Sequence, residues 1–161
     1  MILRPYVTGD ALATLVLFTR SVREIARRDY SLEQVMAWAP DTSEVVQWNA
    51  RRQSTATIIA EIDGTMAGFS DVSPDGYIDM LFVDPAFTRR GVASALLEWV
   101  LEQVTVPLWT NASITARGFF EAHGFEVVEE QRVELRGQAL VNYRMRLERS
   151  VRLGLDKLDH R

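Results

Sequence analysis

The fold is decided by one stretch of the sequence, which reads Ile78-Asp79-Met80-Leu81-Phe82-Val83-Asp84-Pro85-Ala86-Phe87-Thr88-Arg89-Arg90-Gly91-Val92-Ala93-Ser94-Ala95-Leu96-Leu97. Its apolar beginning predicts a strand, and the spaced apolar residues at its end predict a helix. A short loop with two arginines and one glycine joins them. Backbone N–H groups at a helix start lack intrahelical partners and, with the helix dipole, favour an anion such as phosphate. The stretch therefore predicts a phosphate site at Arg89, Arg90 and Gly91, although an arginine pair is more often a solvated surface.

Outward from this stretch, strands and helices follow one another in an order typical of a mixed α/β (α+β) sheet. Residues 54–83 have the alternation and turn signals of an antiparallel meander of three strands, with the third over residues 77–83. The other predicted elements are a strand at 2–7, helices near 11–25, 31–39 and 44–52, a helix at 91–104, a strand at 106–110, a helix at 113–123 and a hairpin at 125–147. We expect a single domain over residues 1–161, ending in a charged tail at 148–161.

Composition narrows the chemistry further. The 161 residues include no cysteine, which excludes disulfides, thiolate metal sites and a cysteine nucleophile. No spacing of histidines and carboxylates suggests a metal site, so we expect none. The net charge of −4 and the absence of a nucleic-acid-binding motif argue against a nucleic-acid partner. No signal peptide or membrane-spanning run is visible, so we expect a cytoplasmic protein with no membrane contact.

The pattern Val-x-Pro-x-x-x-Arg-Arg-Gly-x-Ala-x-x-Leu-Leu, from Val83 to Leu97, resembles the acetyl-CoA-binding motif of the GNAT superfamily of N-acetyltransferases. The resemblance implies acetyl-CoA as co-substrate and a bulged strand whose backbone binds the pantetheine arm. The residues that it implies for the pantetheine and thioester are Leu81, Phe82 and Val83. Those that it implies for the pyrophosphate are Thr88, Arg89, Arg90, Gly91, Val92, Ala93 and Ser94. Thr88 departs from the family pattern, which has Gln or Arg at this place.

A second motif, Ser113-x-x-Ala116-x-x-Phe119-Phe120-x-x-x-Gly124-Phe125, resembles the next GNAT motif, a helix that lines the other side of the CoA arm. Ser113 stands where Asn is usual. In that motif, many members have a Tyr beside the departing sulfur that acts as general acid, and the resemblance implies this place for Phe120. The resemblance implies a central mixed, mostly antiparallel twisted sheet of about seven strands, flanked by helices and splayed at strands 4 and 5. The flanking residues resemble a bacterial, poorly assigned subgroup.

Without cysteine, the simplest acetyl transfer is direct attack of an amine on acetyl-CoA in a ternary complex. A backbone N–H near Leu81 would stabilise the oxyanion. Asp79 is the first candidate for the general base, because it shares the face of Leu81 in a regular strand. A purely structural role for Asp79 is an equal alternative, and Glu61 and Asp71 are weaker candidates. Since Phe120 cannot donate a proton, Ser113 or water must serve as the acid.

The acceptor is less well defined by the sequence. Tyr30 and Trp38, with Trp48 and Tyr77, would suit an acceptor pocket, but aromatics at these spacings are also typical of a core. The main hypothesis is an N-acetyltransferase acting on the amine of a small molecule. The alternatives are a protein or peptide N-acetyltransferase and, because of Thr88 and Phe120, a non-catalytic regulator that binds acyl-CoA. A free strand edge or the tail would allow a homodimer.

Overall fold

A computed structural model describes residues 1–149 of the chain. The strands are β1 (Ile2–Pro5), β2 (Ala56–Ile62), β3 (Thr65–Val72), β4 (Tyr77–Ile78), β5 (Leu81–Val83), β6 (Leu108–Ser113), β7 (Glu126–Leu135) and β8 (Gln138–Leu147). The α-helices are α1 (Ala11–Arg20), α2 (Leu32–Trp38), α3 (Val45–Gln53), α4 (Val92–Gln103) and α5 (Ile114–Ala122). Short 3₁₀ turns and one π turn (Ser21–Ile25) fill parts of the connections.

In residues 1–149, the strands form two four-stranded sheets, in the orders β1-β2-β3-β5 and β4-β6-β8-β7. Among these described strands, all pairs are antiparallel except β4 with β6, which is parallel. The predicted mixed, mostly antiparallel fold flanked by helices is therefore confirmed. The strand count differs from the expected seven, because the strand predicted over residues 77–83 is divided at Asp79 and Met80.

That division splays the two sheets apart. On one side of it, β4 pairs with β6 through Tyr77↔Trp109 and Ile78↔Thr110. On the other side, β5 pairs with β3 and belongs to the other sheet. The predicted splay is thus a strand break, followed by a gap between β5 and β6. We call Asp79 and Met80 the strand break below.

Both faces of the first sheet are covered by helices. Ile59 and Phe69 pack in one core cluster with residues of α1, while Ile58 and Ala60 pack in another with residues of α4. Successive strand residues point to opposite faces, so the apolar run of β2 serves both clusters. Gly68 in β3 permits the close approach of α4, since a Cβ there would lie 2.8 Å from both the Phe82 carbonyl oxygen and a methyl carbon of Val92.

A third core cluster joins α4 and α5 to the second sheet, with Leu97, Leu108 and Met145 among its buried members. Of the predicted tail, the structure describes only Glu148 and Arg149; the rest lies outside the described residues. The Arg149 guanidinium donates to the carbonyl oxygens of Leu101 (2.9 Å) and Val104 (3.0 Å) at the end of α4. Within residues 1–149, no helix has the length and apolar character needed to cross a membrane.

Candidate functional site

The backbone of β5 presents polar groups to the gap between the sheets. Phe82 lies opposite Phe69 of β3. The ladder bonds on either side are Asp71 N–H to Met80 O (3.1 Å) and Asp84 N–H to Ala67 O (2.8 Å). In an antiparallel pair, alternate residues bond to the neighbouring strand and the residues between them face the other way. The backbone N–H and C=O groups of Leu81 and Val83 therefore point into the gap, as expected from the sequence for a pantetheine arm.

The start of α4 lies beyond the end of β5. Gly91, the residue before the helix, has a φ of +76°, and Arg89 has a φ of +61°. The first backbone bond of the helix runs from Ala95 N–H to Gly91 O (3.1 Å). In the described part of the chain, no side chain caps this start. The N–H groups of the first turn, at Val92, Ala93 and Ser94, thus have no intrahelical acceptor.

The loop before α4 suits an anion that arrives from solvent. Thr88, Arg89, Arg90 and Gly91 are all exposed. The Arg90 guanidinium lies over the Phe87 ring, 5.5 Å from its centroid, which holds the cation beside the loop. Exposed cations next to unbonded N–H groups are the arrangement predicted for a phosphate site.

A cavity of about 360 Å³ opens on the other side of the strand break. Seven of the predicted site residues line it together: Tyr30, Trp38, Asp79, Leu81, Phe82, Ser113 and Phe120. Val83 and the loop of residues 88–94 do not, because they lie farther along β5 and at the start of α4. The sequence-predicted residues thus fall into two neighbouring groups, with β5 between them.

The buried guanidinium of Arg52 helps to hold the Asp79 side chain in position. One of its carboxylate oxygens lies 3.4 Å from Nη2 of Arg52, and the Tyr77 hydroxyl donates to the other at 3.4 Å. The Arg52 side chain is 1% exposed, whereas that of Asp79 is 40% exposed and faces the cavity. Within the described residues, Nε and Nη1 of Arg52 have no hydrogen-bond partner. The guanidinium also stacks on Trp48, 4.5 Å from the ring centroid.

The two weaker candidates for the base have other structural partners. Glu61 accepts a hydrogen bond from Arg4 Nε (2.7 Å) beside β1 and does not line the cavity. Asp71 is buried in β3, where one carboxylate oxygen accepts the N–H groups of Asp79 (3.0 Å) and Met80 (2.8 Å). Burial raises the pKa of the Asp71 carboxyl to about 6. Neither residue faces the acceptor space as Asp79 does.

The start of α5 forms the opposite wall of the cavity. The Ser113 hydroxyl oxygen accepts the Ala116 N–H (3.0 Å), so Ser113 is the N-cap of the helix and its proton remains available to donate. The Tyr30 hydroxyl accepts the Ile114 N–H (2.9 Å) and donates to the Val141 carbonyl oxygen (2.5 Å). Phe120 is 3% exposed and packs edge-on against Phe125, so it supplies only an apolar surface.

The aromatic side chains proposed for the acceptor have different positions. Tyr30, Trp38 and Tyr77 line the cavity. Trp48 does not: its indole N–H donates to the Thr14 hydroxyl (2.9 Å) and its ring packs on Phe18, so it belongs to the core. The structure adds four residues to the cavity that had no role assigned from the sequence: Phe18, Asn111, Glu134 and Asn142. These come from elements far apart in the chain, so no local spacing could have grouped them.

Comparison with known proteins agrees with this geometry. The profile of the family described as "Acetyltransferase (GNAT) domain" matches residues 26–147. The chain belongs to the GNAT acetyltransferase family. The predicted resemblance and enzyme class, an acetyl-CoA-dependent N-acetyltransferase, are thereby confirmed.

Two relatives support the GNAT assignment over most of the chain. The uncharacterized N-acetyltransferase YafP of Escherichia coli K12 is 41% identical over 144 residues, which cover 89% of this chain and 93% of YafP. The crystal structure of a GCN5-related N-acetyltransferase from Rhodopseudomonas palustris superimposes with a TM-score of 0.88 at 30% identity, covering 91% of this chain and 94% of that one.

A more distant structure shares only the fold. It is YncA, a putative acetyltransferase from Salmonella typhimurium that was solved with acetyl-CoA. The TM-score is 0.63 at 16% identity, with 93% of this chain and 94% of that chain covered.

Proposed function

We propose that this GNAT protein transfers the acetyl group of acetyl-CoA directly to the amine of a small molecule, in a ternary complex. One observation carries the proposal: the open backbone of β5 lies between an uncapped helix start and a cavity that contains a carboxylate. A thioester bound along β5 would have its phosphates at α4 and its acetyl group at the cavity.

On the CoA side, Leu81 and Val83 would bind the pantetheine amides through their backbone groups, as in a short additional strand. The N–H groups of Val92, Ala93 and Ser94 would bind the pyrophosphate, with Arg89 and Arg90 supplying positive charge. The distant YncA structure contains acetyl-CoA on the same fold, which supports this use of the gap.

On the acceptor side, the size of the cavity favours a small molecule. Its volume of about 360 Å³ is at the lower end of the range typical of small-molecule sites. The acetyl thioester would take part of this space, since Leu81, Ser113 and Phe120 also line the cavity. Tyr30, Trp38 and Phe82 supply aromatic surface, and Asp79 supplies a negative charge for an incoming ammonium group. A peptide acceptor would need an open groove instead.

In the proposed reaction, Asp79 accepts the proton of the bound ammonium and leaves a neutral amine. The amine nitrogen attacks the thioester carbon, and the N–H of Leu81 stabilises the oxyanion. The C–S bond then breaks as the amide forms. The Ser113 hydroxyl, or water, donates a proton to the departing thiolate and takes up the second proton that the attacking nitrogen loses as the amide forms. Phe120 cannot replace them because it has no exchangeable proton.

The test is release of free CoA thiol from acetyl-CoA over a panel of small amines, polyamines, aminoglycosides and peptides. We expect turnover with small amines. When the concentrations of acetyl-CoA and the amine are both varied, double-reciprocal plots of the initial rate should give intersecting lines, as for a ternary complex. Parallel lines would contradict direct transfer. Turnover with peptides alone would favour the protein acetyltransferase, and acetyl-CoA binding without release for any amine would favour the regulator.

A further inference from the structure

The strand break is held by a side chain from the neighbouring strand. In a continued antiparallel ladder, the N–H of Met80 would donate to the backbone carbonyl of Asp71, because the Asp71 N–H already donates to Met80 O (3.1 Å). Instead, the Asp71 carboxylate accepts this N–H at 2.8 Å and also that of Asp79 at 3.0 Å. A side chain therefore takes the place of a main-chain acceptor at the point where the sheets separate.

We propose that Asp71 is a positioning residue for acetyl transfer. Its carboxylate fixes the backbone of the strand break, and so sets the direction of the Leu81 backbone groups and of the Asp79 side chain. The inference rests on the proposed function, because it assigns to Asp71 the geometry of the surfaces that would bind acetyl-CoA and the amine.

Burial disfavours the charged form of Asp71 in the folded protein. Asp71 is 1% exposed, and burial raises its pKa to about 6. The Asp79 charge raises this pKa further, whereas the hydrogen bonds from the Met80 and Asp79 N–H groups and the charge of Arg52 lower it. Between about pH 4 and about pH 6, the folded protein thus holds more protons at this group than the unfolded chain does. Ionisation of Asp71 therefore lowers the free energy of unfolding as the pH rises through this window.

Charged and polar groups from several elements surround the Asp71 carboxylate. Arg52 faces it from α3, Asp79 from the strand break and Tyr77 from β4. The Thr55 hydroxyl lies 3.4 Å from its second carboxylate oxygen. A neutral asparagine could accept the same two N–H groups, but hydrogen bonds to a charged acceptor are about twice as strong. The ionised form should hold the strand break more firmly than either a protonated or an amide side chain.

The experiment compares wild type with Asp71→Asn, Asp71→Ala and, as a matched control, Asp63→Asn. Asp63 is exposed in the turn at the other end of β3, with a φ of +50° that Asn tolerates. Dephospho-CoA binding is measured by calorimetry from pH 5 to pH 8. This probe lacks the 3′-phosphate monoester, whose second ionisation near pH 6 would obscure the result. The steady-state kcat and KM are measured in parallel.

We expect wild type and Asp63→Asn to bind about fivefold more weakly at pH 5 than at pH 7.5, as the charge-assisted bonds weaken. Asp71→Asn should bind with little pH dependence, at an affinity near that of wild type at pH 5. Since wild type and Asp71→Asn differ at position 71 alone, the difference between their pH profiles reports on that position. Asp71→Ala should bind more weakly than Asp71→Asn at every pH.

If wild type binds the probe but Asp71→Asn has the same pH profile, the role of Asp71 is overturned while the proposed function stands. If Asp71→Ala does not fold, the comparison of wild type with Asp71→Asn still tests the positioning role of Asp71. If wild type binds neither acetyl-CoA nor dephospho-CoA at any pH, the proposed function fails, and this inference fails with it.

Discussion

Arg52 is a buried cation whose only ion pair among the described residues is with the half-exposed Asp79. A charge without water needs either a counter-charge or a full set of hydrogen bonds. Arg52 has an incomplete set, since Nε and Nη1 lack partners in residues 1–149, and stacking on Trp48 compensates only in part. The buried Arg52 guanidinium therefore helps to determine the position of the Asp79 carboxylate in the cavity.

We expect Asp79→Asn to lower kcat at neutral pH by about 100-fold or more, the usual effect of removing a general base. The reason is that the amide cannot take a proton from the ammonium. Acetyl-CoA affinity should be retained, because Asp79 faces the acceptor cavity. Steady-state kinetics from pH 6 to pH 10 and calorimetry with acetyl-CoA measure the two effects.

The pH profile and a control separate this role from a structural one. The loss in Asp79→Asn should shrink at high pH, where the free amine is already neutral, while Asp63→Asn should behave as wild type. Unchanged turnover of Asp79→Asn across the whole range would remove Asp79 from the mechanism. Because Arg52 loses its counter-charge, thermal unfolding of the variant is followed in the same experiment.

At the scale of elements, the start of α4 depends on one glycine in the left-handed region. Gly91→Glu should abolish acetyl-CoA binding, because it places a carboxylate at the helix start that would hold the pyrophosphate and strains the backbone at a φ of +76°. Gly91→Asn should retain binding, since Asn tolerates this conformation and carries no charge. Calorimetry measures both variants, and normal binding by Gly91→Glu would contradict the phosphate site.

The elements that the sequence predicted well are those set by local patterns. The capping box of Ser31 and Gln34 starts α2 as the residue types indicate, and Gly91 precedes α4. The predicted strand over residues 77–83 is broken, because Asp71, on another strand, binds two of its N–H groups. No periodicity within residues 77–83 carries that information. Arg52 could not be assigned for the same reason, since its ion-pair partner Asp79 lies 27 residues away in the chain.

At the scale of the whole molecule, the two sheets separate at the gap that the proposed ligand would fill. The N–H groups of Leu81 and Val83 face this gap, whereas that of Phe82 lies in the ladder with Phe69. We expect acetyl-CoA to slow hydrogen exchange at Leu81 and Val83 but to leave Phe82, protected in both states, nearly unchanged. Exchange followed by NMR on free and bound protein is the measurement. If binding slowed exchange equally at Leu81, Phe82 and Val83, the alternating orientation of these N–H groups would be contradicted.

The contact of Arg149 with the last turn of α4 matters for protein engineering. The charged composition alone would place a truncation point at residue 148, at the start of the tail. Such a cut would remove Arg149 and leave the carbonyl groups of Leu101 and Val104 without its guanidinium. A shortened protein that ends after Arg149 keeps this anchor on the helix whose other end forms the proposed phosphate site.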